Sequence, residues 1–193
     1  MKSRVSGPIR RIALAVAVLL CLDGAFAGNA PSPVREEIPQ AVLRGSGTYR
    51  WFGMVIYGAV LWTLPDSGSD FNHPFALELT YARDLQGRKI AEASIEEIRK
   101  LKLGTAAKQE RWLTQMKAIF PDVKEGSRIT GVHIPGEAIR FYLNDKFLGE
   151  IRDPEFARSF FSIWLDENTS APDLRNKLIG KTSFLTSSLR TVS

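Results

Sequence analysis

The hydrophobic pattern of the chain is strand-like over residues 41–63. This segment is rich in β-branched and aromatic side chains, and a turn is expected at Phe52-Gly53. Residues 75–84 then alternate between apolar and polar side chains, with Tyr81 on the apolar side. The pattern therefore predicts a hairpin of two strands followed by a third strand.

Two helices are predicted after these strands. Ser94 and Glu97 have the spacing of a capping box, so a helix is expected to begin there and to end at Gly104. A second helix is predicted over residues 106–120, because its apolar side chains recur at helical spacing and Pro121 ends the pattern.

The second half of the chain repeats this order. Strands are predicted over Arg128–Ile134 and Ala138–Leu143, a helix with Asp153 as its N-cap follows, and a short helix is expected over 173–179. Strands first, with helices in the middle and at the end, predict an α+β domain. We expect a mainly antiparallel sheet with helices packed on it.

The first 27 residues have the pattern of a secretory signal. Four positive charges precede an apolar run over 12–22, and Ala25-Phe26-Ala27 fits the small-x-small cleavage site. The run has 11 residues, fewer than the roughly 20 that span a bilayer as a helix. We predict cleavage after Ala27, a periplasmic location and no stable insertion into a membrane after cleavage.

The rest of the chain is predicted to form one domain. We expect a signal peptide over 1–27, a polar leader over 28–40, the domain over 41–180 and a polar tail over 181–193. Cys21, the one cysteine of the chain, lies in the predicted signal. A mature chain without cysteine excludes disulfides, thiol catalysis and cysteine-ligated zinc.

A formal charge of +5 would favour a nucleic-acid binder, but the distribution of the charges along the chain does not support this function. Residues 1–27 hold four basic residues and one acidic residue, whereas from Gly28 onward 22 basic residues face 20 acidic ones. Because most of the excess lies in the predicted signal, we expect no nucleic-acid partner.

Metal and cofactor chemistry finds little support in the sequence. His73 and His133 stand 60 residues apart and belong to no metal-binding motif, so we expect two unrelated surface or rim histidines, and we predict no metal and no cofactor.

The tryptophans, at 51, 62, 112 and 164, suit either a ligand cavity or a core.

Arg50 stands inside an apolar strand, between Tyr49 and Trp51 and next to the expected turn. A two-residue turn pairs Arg50 with Val55 and Thr48 with Tyr57, which makes Arg50 and Tyr57 diagonal neighbours on one face. Such a pair suits an anionic head with an apolar tail, because Arg offers a bidentate fork and Tyr a neutral donor. A three-residue loop would separate them, and Arg50 also fits a purely structural role at a sheet edge.

The order of several short stretches resembles the chalcone isomerase superfamily, and most of all its bacterial exported branch. The resemblance covers roughly residues 41–180. It is carried by Gly45-x-Gly47-x-x-Arg50, VIYGAVLW (55–62), LTYARD (79–84), FPDV (120–123), DPEFA (153–157), FFSIWLD (160–166), Thr169 and APDLR (171–175).

The resemblance implies an open-faced β-sandwich with helices layered over a large sheet and a ligand cleft between them. In the plant enzymes of the superfamily, a strand arginine and a following threonine belong to the chalcone site. In its plant fatty-acid-binding members, an arginine and a tyrosine hold a carboxylate. Arg50 and Tyr57 match this second pair, so both are predicted to bind ligand.

The sequence also departs from the enzymes of the superfamily. Their helical tyrosine and asparagine have no counterparts near Trp112 and Met116, and Ile163-Trp164 stands about where they carry a threonine. Function lies in the site rather than in the fold. We therefore expect a periplasmic, non-catalytic binding protein for a fatty acid or similar amphipathic carboxylate. The alternatives are an intramolecular isomerase or cyclase of the chalcone isomerase type, and a structural or partner-binding envelope protein.

Overall fold

The computed structural model describes residues 30–67 and 71–181. The predicted signal peptide and nearly all of the predicted polar tail lie outside these residues. In the described part of the chain, no helix is both long and apolar enough to cross a membrane.

Within the part of the chain that the structure describes, six strands form one antiparallel sheet, and their order in the sheet is their order in the chain. Each strand therefore pairs with the strand before it. The strands are β1 (Val42–Trp51), β2 (Met54–Thr63), β3 (Phe75–Tyr81), β4 (Arg128–Ile134), β5 (Ala138–Leu143) and β6 (Lys146–Ile151).

In the described residues five helices accompany the sheet, which confirms the predicted α+β class and the layering of helices on an antiparallel sheet. They are α1 (Ser32–Glu37), α2 (Gly87–Lys100), α3 (Ala106–Ile119), α4 (Pro154–Leu165) and α5 (Pro172–Leu178). The Asp153 carboxylate caps α4 as predicted, since it accepts hydrogen bonds from the backbone amides of Glu155 and Phe156.

The main core lies between one face of the sheet and the helices α2 to α5. Alternate side chains of the strands point into it, as period-two burial requires. Trp112 and Met116 of α3 and Phe156 and Phe161 of α4 are fully buried there.

The opposite face of the sheet is partly covered by α1. Val34 and Ile38 are buried against Trp62 of β2 and Val132 of β4. The sequence pattern favours a polar leader over residues 28–40. The structure shows instead a short helix in this segment that packs on part of the back face of the sheet. The two apolar side chains four residues apart are the signal for it.

The helix α2 begins seven residues earlier than the capping-box pattern predicts. It starts at Gly87, whose amide donates a hydrogen bond of 2.9 Å to the Asp122 carboxylate. Ser94 therefore lies inside the helix, where its hydroxyl donates to the Ile90 carbonyl at 2.8 Å. The prediction of a helix start at Ser94 is wrong, because the tertiary contact with Asp122 supplies the partner that a cap would give.

His133 is also placed differently from the expectation of a surface or rim residue. It lies buried in β4 between the rings of Phe75 and Phe161, and its Nε2 is 3.1 Å from the Phe71 carbonyl oxygen. Burial lowers the pKa of His133, so the ring stays neutral. It is a core residue of the helix-facing side.

Two hairpins of the sheet have two-residue turns with positive φ at both positions. In the β1–β2 turn, φ is 45° at Phe52 and 78° at Gly53, and in the β5–β6 turn it is 46° at Asn144 and 71° at Asp145. This is the conformation of a type I′ turn, which suits the twist of the flanking strands. The predicted turn at Phe52-Gly53 is confirmed.

Candidate functional site

A cavity of about 560 Å³ lies between the sheet and the helices α2 and α4. Its volume falls within the range of small-molecule sites. Its walls are mostly apolar. They include Ile56, Leu77, Leu79, Leu85, Ile90, Phe120, Ile129, Phe141, Phe160, Phe161 and Ile163.

Three tyrosines form a row across the sheet at one side of this cavity. Tyr49 of β1 pairs with Tyr57 of β2, and Tyr57 pairs with Tyr81 of β3. The rings of Tyr49 and Tyr57 stack with their centroids 5.0 Å apart, and those of Tyr57 and Tyr81 meet edge to face at 6.1 Å. The row places phenol groups from three strands on the same wall of an otherwise apolar cavity.

The central tyrosine of the row is held in place from the helix layer. The indole Nε1 of Trp164 in α4 donates a hydrogen bond of 3.0 Å to the Tyr57 hydroxyl. The proton of that hydroxyl has no acceptor among the described residues, so Tyr57 can still donate to a ligand. Burial raises the pKa of both Tyr57 and Tyr81 far above the ordinary value, which keeps both phenols protonated.

The mouth of the cavity follows one stripe of α2. Lys89, Ala93 and Glu97 are spaced four residues apart and line the opening, and Trp51 and Ser170 line it from the other sides. The Ser170 hydroxyl donates a hydrogen bond of 2.6 Å to the Glu97 carboxylate, which connects α2 with the loop before α5. Among the described lining residues, Lys89 is the one cation.

Arg50 lies outside this cavity, although Tyr57 lies within it. Arg50 pairs with Val55 as predicted for a two-residue turn, but Tyr57 pairs with Tyr49 and not with Thr48. The β2 strand has one extra residue between these pairs, Ile56, and such a bulge moves the following side chain to the other face. The predicted diagonal contact of Arg50 with Tyr57 is therefore wrong for this structure.

The Arg50 side chain is exposed at the end of the hairpin. Its guanidinium donates a hydrogen bond of 3.3 Å to the Gly53 carbonyl within the same turn. Of the predicted ligand-binding pair, the structure therefore places Tyr57 in the cavity wall and Arg50 outside the cavity, at the exposed end of the hairpin.

Tyr49 and Tyr81 are the site residues that the sequence reasoning did not single out. The alternation in β3 puts Tyr81 on the same face as Leu77 and Leu79, so its place in a ligand cavity could have been read from the sequence. Tyr49 could not, because its pairing with Tyr57 depends on the bulge at Ile56.

The tryptophans divide between the two roles that the sequence left open. Trp51 and Trp164 line the cavity, whereas Trp112 belongs to the core and Trp62 to the back face of the sheet.

Within residues 30–67 and 71–181, no group of His, Cys, Asp or Glu side chains is arranged to hold a metal ion.

Comparisons with known proteins agree with this architecture. The sequence model of the family described as chalcone isomerase-like matches residues 31–180. An uncharacterized protein of Haemophilus influenzae is 30% identical over 138 residues, which are 72% of this chain and 67% of that protein.

Among solved structures, a fatty-acid binding protein of Arabidopsis thaliana has a TM-score of 0.59 at 13% identity. The match covers 74% of this chain and 88% of the Arabidopsis chain. The likeness is one of fold, and the match of the family model over most of the sequence is the stronger finding. The chain belongs to the chalcone isomerase-like family.

Proposed function

We propose that the protein binds a fatty acid or a similar amphipathic carboxylate in the cavity and releases it unchanged. The observation that carries this proposal is the tyrosine row in an apolar cavity, with an unused hydroxyl proton on Tyr57. An apolar tail would lie against the leucines and phenylalanines of the walls. Its burial supplies about 25 cal/mol for each Å² removed from water.

The tyrosine row is suited to the head group of such a ligand. Tyr57 and Tyr81 are neutral donors, and a hydrogen bond to a charged acceptor is worth about 1.5–3 kcal/mol. At the mouth, Lys89 forms an ion pair with Glu92 at 2.9 Å and Glu97 lines the same opening, so the mouth carries both signs of charge. The phenol donors inside favour an anionic or strongly accepting head over a basic one.

The Arabidopsis protein of the same fold supports the class of ligand. That protein is described as fatty-acid binding and has the same fold. Its low sequence identity transfers no residue role, so the proposal for this chain depends on the cavity and its lining. Arg50, the second predicted ligand contact, is not among the residues that line the cavity.

An isomerase of the chalcone isomerase type is less well supported by the site. Such a reaction would need a group like the Arg50 guanidinium to stabilise an oxyanion, and Arg50 is not among the residues that line the cavity. A protein with a solid core is also less well supported, since about 560 Å³ between sheet and helices is free of side chains.

We also propose that binding takes place in the periplasm after cleavage behind Ala27. The support is the charged start, the apolar run and the small residues of the first 27 positions. Sequencing the N-terminus of the protein from a periplasmic extract tests this. We expect Gly28 as the first residue, and an uncleaved, membrane-bound chain would contradict it.

The binding proposal is tested by extracting lipid from the purified chain for mass spectrometry and by titrating it with a fluorescent fatty acid. Ala93→Trp places a large side chain at the mouth without touching the core, because Ala93 is exposed. We expect this variant to lose binding. Ala118→Trp, on an exposed position of α3 away from the cavity, is the matched control and should bind as the wild type does.

Equal binding by Ala93→Trp and the wild type would show that the ligand lies elsewhere. No bound lipid and no titration signal in the wild type would contradict the proposed function itself.

A further inference from the structure

The end of the β1–β2 hairpin carries large apolar side chains that are exposed and are not part of the core. Trp51, Phe52 and Met54 are 56%, 84% and 44% exposed, and we call these three residues the tip patch. Trp51 and Phe52 touch each other edge to face, with ring centroids 4.7 Å apart. Side chains of this size are unusual on a turn, where small polar residues suffice.

Phe52 is moreover held in a backbone conformation that disfavours it. Its φ of 45° lies in the left-handed region, where a bulky residue is strained and where Asn, Asp or Gly is the usual choice. The β5–β6 turn has the same conformation and uses Asn144 and Asp145. Folding therefore gains nothing from a phenylalanine at this position, and strain of this kind marks a site of function.

Two arginine side chains lie next to the tip patch. Arg83 reaches it, with Nη1 3.5 Å from the Met54 sulfur, and Arg50 folds back on the Gly53 carbonyl. In the described part of the chain neither guanidinium takes part in an ion pair with a carboxylate. Both charges are therefore available to an anionic partner.

The tip patch is continuous with the mouth of the cavity. Trp51 belongs to both, and its neighbour Tyr49 begins the tyrosine row inside. Any surface that binds the tip patch would therefore lie directly beside the mouth of the cavity, through which a ligand would pass.

We propose that the tip patch docks the protein reversibly on the surface of an anionic lipid bilayer, so that an amphipathic ligand moves between bilayer and cavity. The part about the ligand depends on the proposed function, whereas the docking does not. Tryptophan, phenylalanine and arginine together suit the boundary between head groups and acyl chains. A protein partner fits less well, since a stable protein interface needs about 800 Å² from each side and the patch has three side chains.

Sedimentation of the chain from Gly28 onward with lipid vesicles tests the docking. This form contains every described helix and strand and lacks the apolar run of the predicted signal. We expect binding to vesicles of phosphatidylglycerol with phosphatidylcholine, weaker binding to phosphatidylcholine alone, and a decrease with salt. Trp51 fluorescence should shift to the blue on binding, because the other three tryptophans are buried already.

Phe52→Asn should lower the partition coefficient about tenfold or more, since a fully exposed phenylalanine is lost. It should not lower the melting temperature, because Asn suits the turn. Arg83→Ala should weaken binding to anionic vesicles about fivefold and leave the weak binding to neutral vesicles unchanged. Phe147→Asn is the matched control, since Phe147 is 59% exposed on β6 and should not matter.

Absence of binding by the wild type overturns the docking proposal, and so does equal binding by wild type, Phe52→Asn and the second tip variant Met54→Gln. Loss of binding in Phe147→Asn to the same degree would also overturn it, since it would show unspecific adsorption. Fatty-acid titration without vesicles on the same samples separates the two proposals. A chain that binds fatty acid but no vesicles refutes docking alone, and a chain that docks but binds no fatty acid refutes the proposed function alone.

Discussion

The Trp164 indole donates its hydrogen bond to the hydroxyl oxygen of Tyr57, across 107 positions of sequence. This contact joins the last long helix to the second strand at the cavity wall. Because Trp164 supplies a donor, the oxygen of Tyr57 is occupied as an acceptor and its proton is directed elsewhere. The hydrogen bond from Trp164 therefore favours Tyr57 as a hydrogen-bond donor toward a ligand.

Replacing Tyr57 by phenylalanine should weaken fatty-acid binding about 10- to 150-fold, since one hydrogen bond to a carboxylate worth about 1.5–3 kcal/mol is lost. The apo protein should also lose about 1–3 kcal/mol of its free energy of unfolding, because the Trp164 N–H is left buried and unpaired. Arg50→Ala should change binding in solution less than twofold. Titration and thermal melts measure both quantities, and a larger loss in Arg50→Ala would restore the arginine–tyrosine pair that the sequence predicts.

At Gly45, β1 lies directly against the backbone of α5. A Cβ there would lie 2.1 Å from the Lys177 carbonyl oxygen and 2.4 Å from that of Leu178, and backbone cannot move aside cheaply. We expect Gly45→Ala to lower the free energy of unfolding by about 3 kcal/mol. Gly58→Ala is the control in the paired strand, because a Cβ there meets nothing within 4 Å. Denaturant titration should separate the two variants, and equal stability would show that α5 does not pack as described.

The Asp153 carboxylate should make the protein sensitive to acid. Burial alone would raise its pKa, but hydrogen bonds from the Trp112 indole, at 2.9 Å, and from the Phe156 amide lower it below the usual value. A depressed pKa in the folded state gives stability that is present above the unfolded value of about 3.9 and is lost as the pH falls through the folded value.

Asp153→Asn should keep the cap and remove this dependence on pH. Asp153→Ala should cost about 2–4 kcal/mol at neutral pH, because both the cap and the acceptor for Trp112 are lost. Unfolding free energies measured from pH 7 down to pH 3 check both variants. A steep loss of stability in Asp153→Asn at low pH would assign the acid sensitivity to another group.

Ile38 tests whether the segment before β1 is part of the fold. Its side chain is 1% exposed against the back of the sheet, so Ile38→Ala should cost about 2 kcal/mol or more. Gln40→Ala, two residues further on at an exposed position, should change stability by less than about 0.5 kcal/mol. If calorimetry finds both variants equally stable, the segment is the polar leader that the sequence pattern favours.

The sequence predicts the elements better than it predicts which of them meet. The β4, β5 and α3 ranges come within a residue of the structure, because caps, prolines and turn residues are local signals. The back-face helix at Val34 and Ile38 is missed, because a single short turn of helix has too little periodicity and is stabilised by the sheet that it covers.

The candidate site shows the same division. Tyr57 is found in the cavity, but Arg50 is not, because one extra residue at Ile56 reverses the relation between the two faces of the hairpin. No residue type marks a bulge of this kind. The hydrogen bond from Trp164 to Tyr57 likewise depends on contact between distant segments. So does the close approach of α5 that leaves no room for a side chain at Gly45.

The strands pair in the order in which they occur along the chain, so each new strand finds its partner already present as the chain emerges from its N-terminus. The helices α4 and α5 come after the last strand. Until the chain has reached residues 154–178, much of the apolar face that later lines the cavity has no cover. An uncovered face of this kind promotes aggregation during folding. Closure of the cavity and cover for this face of the sheet therefore depend on the same segment, residues 154–178, which holds the last helices of the described chain to be synthesised.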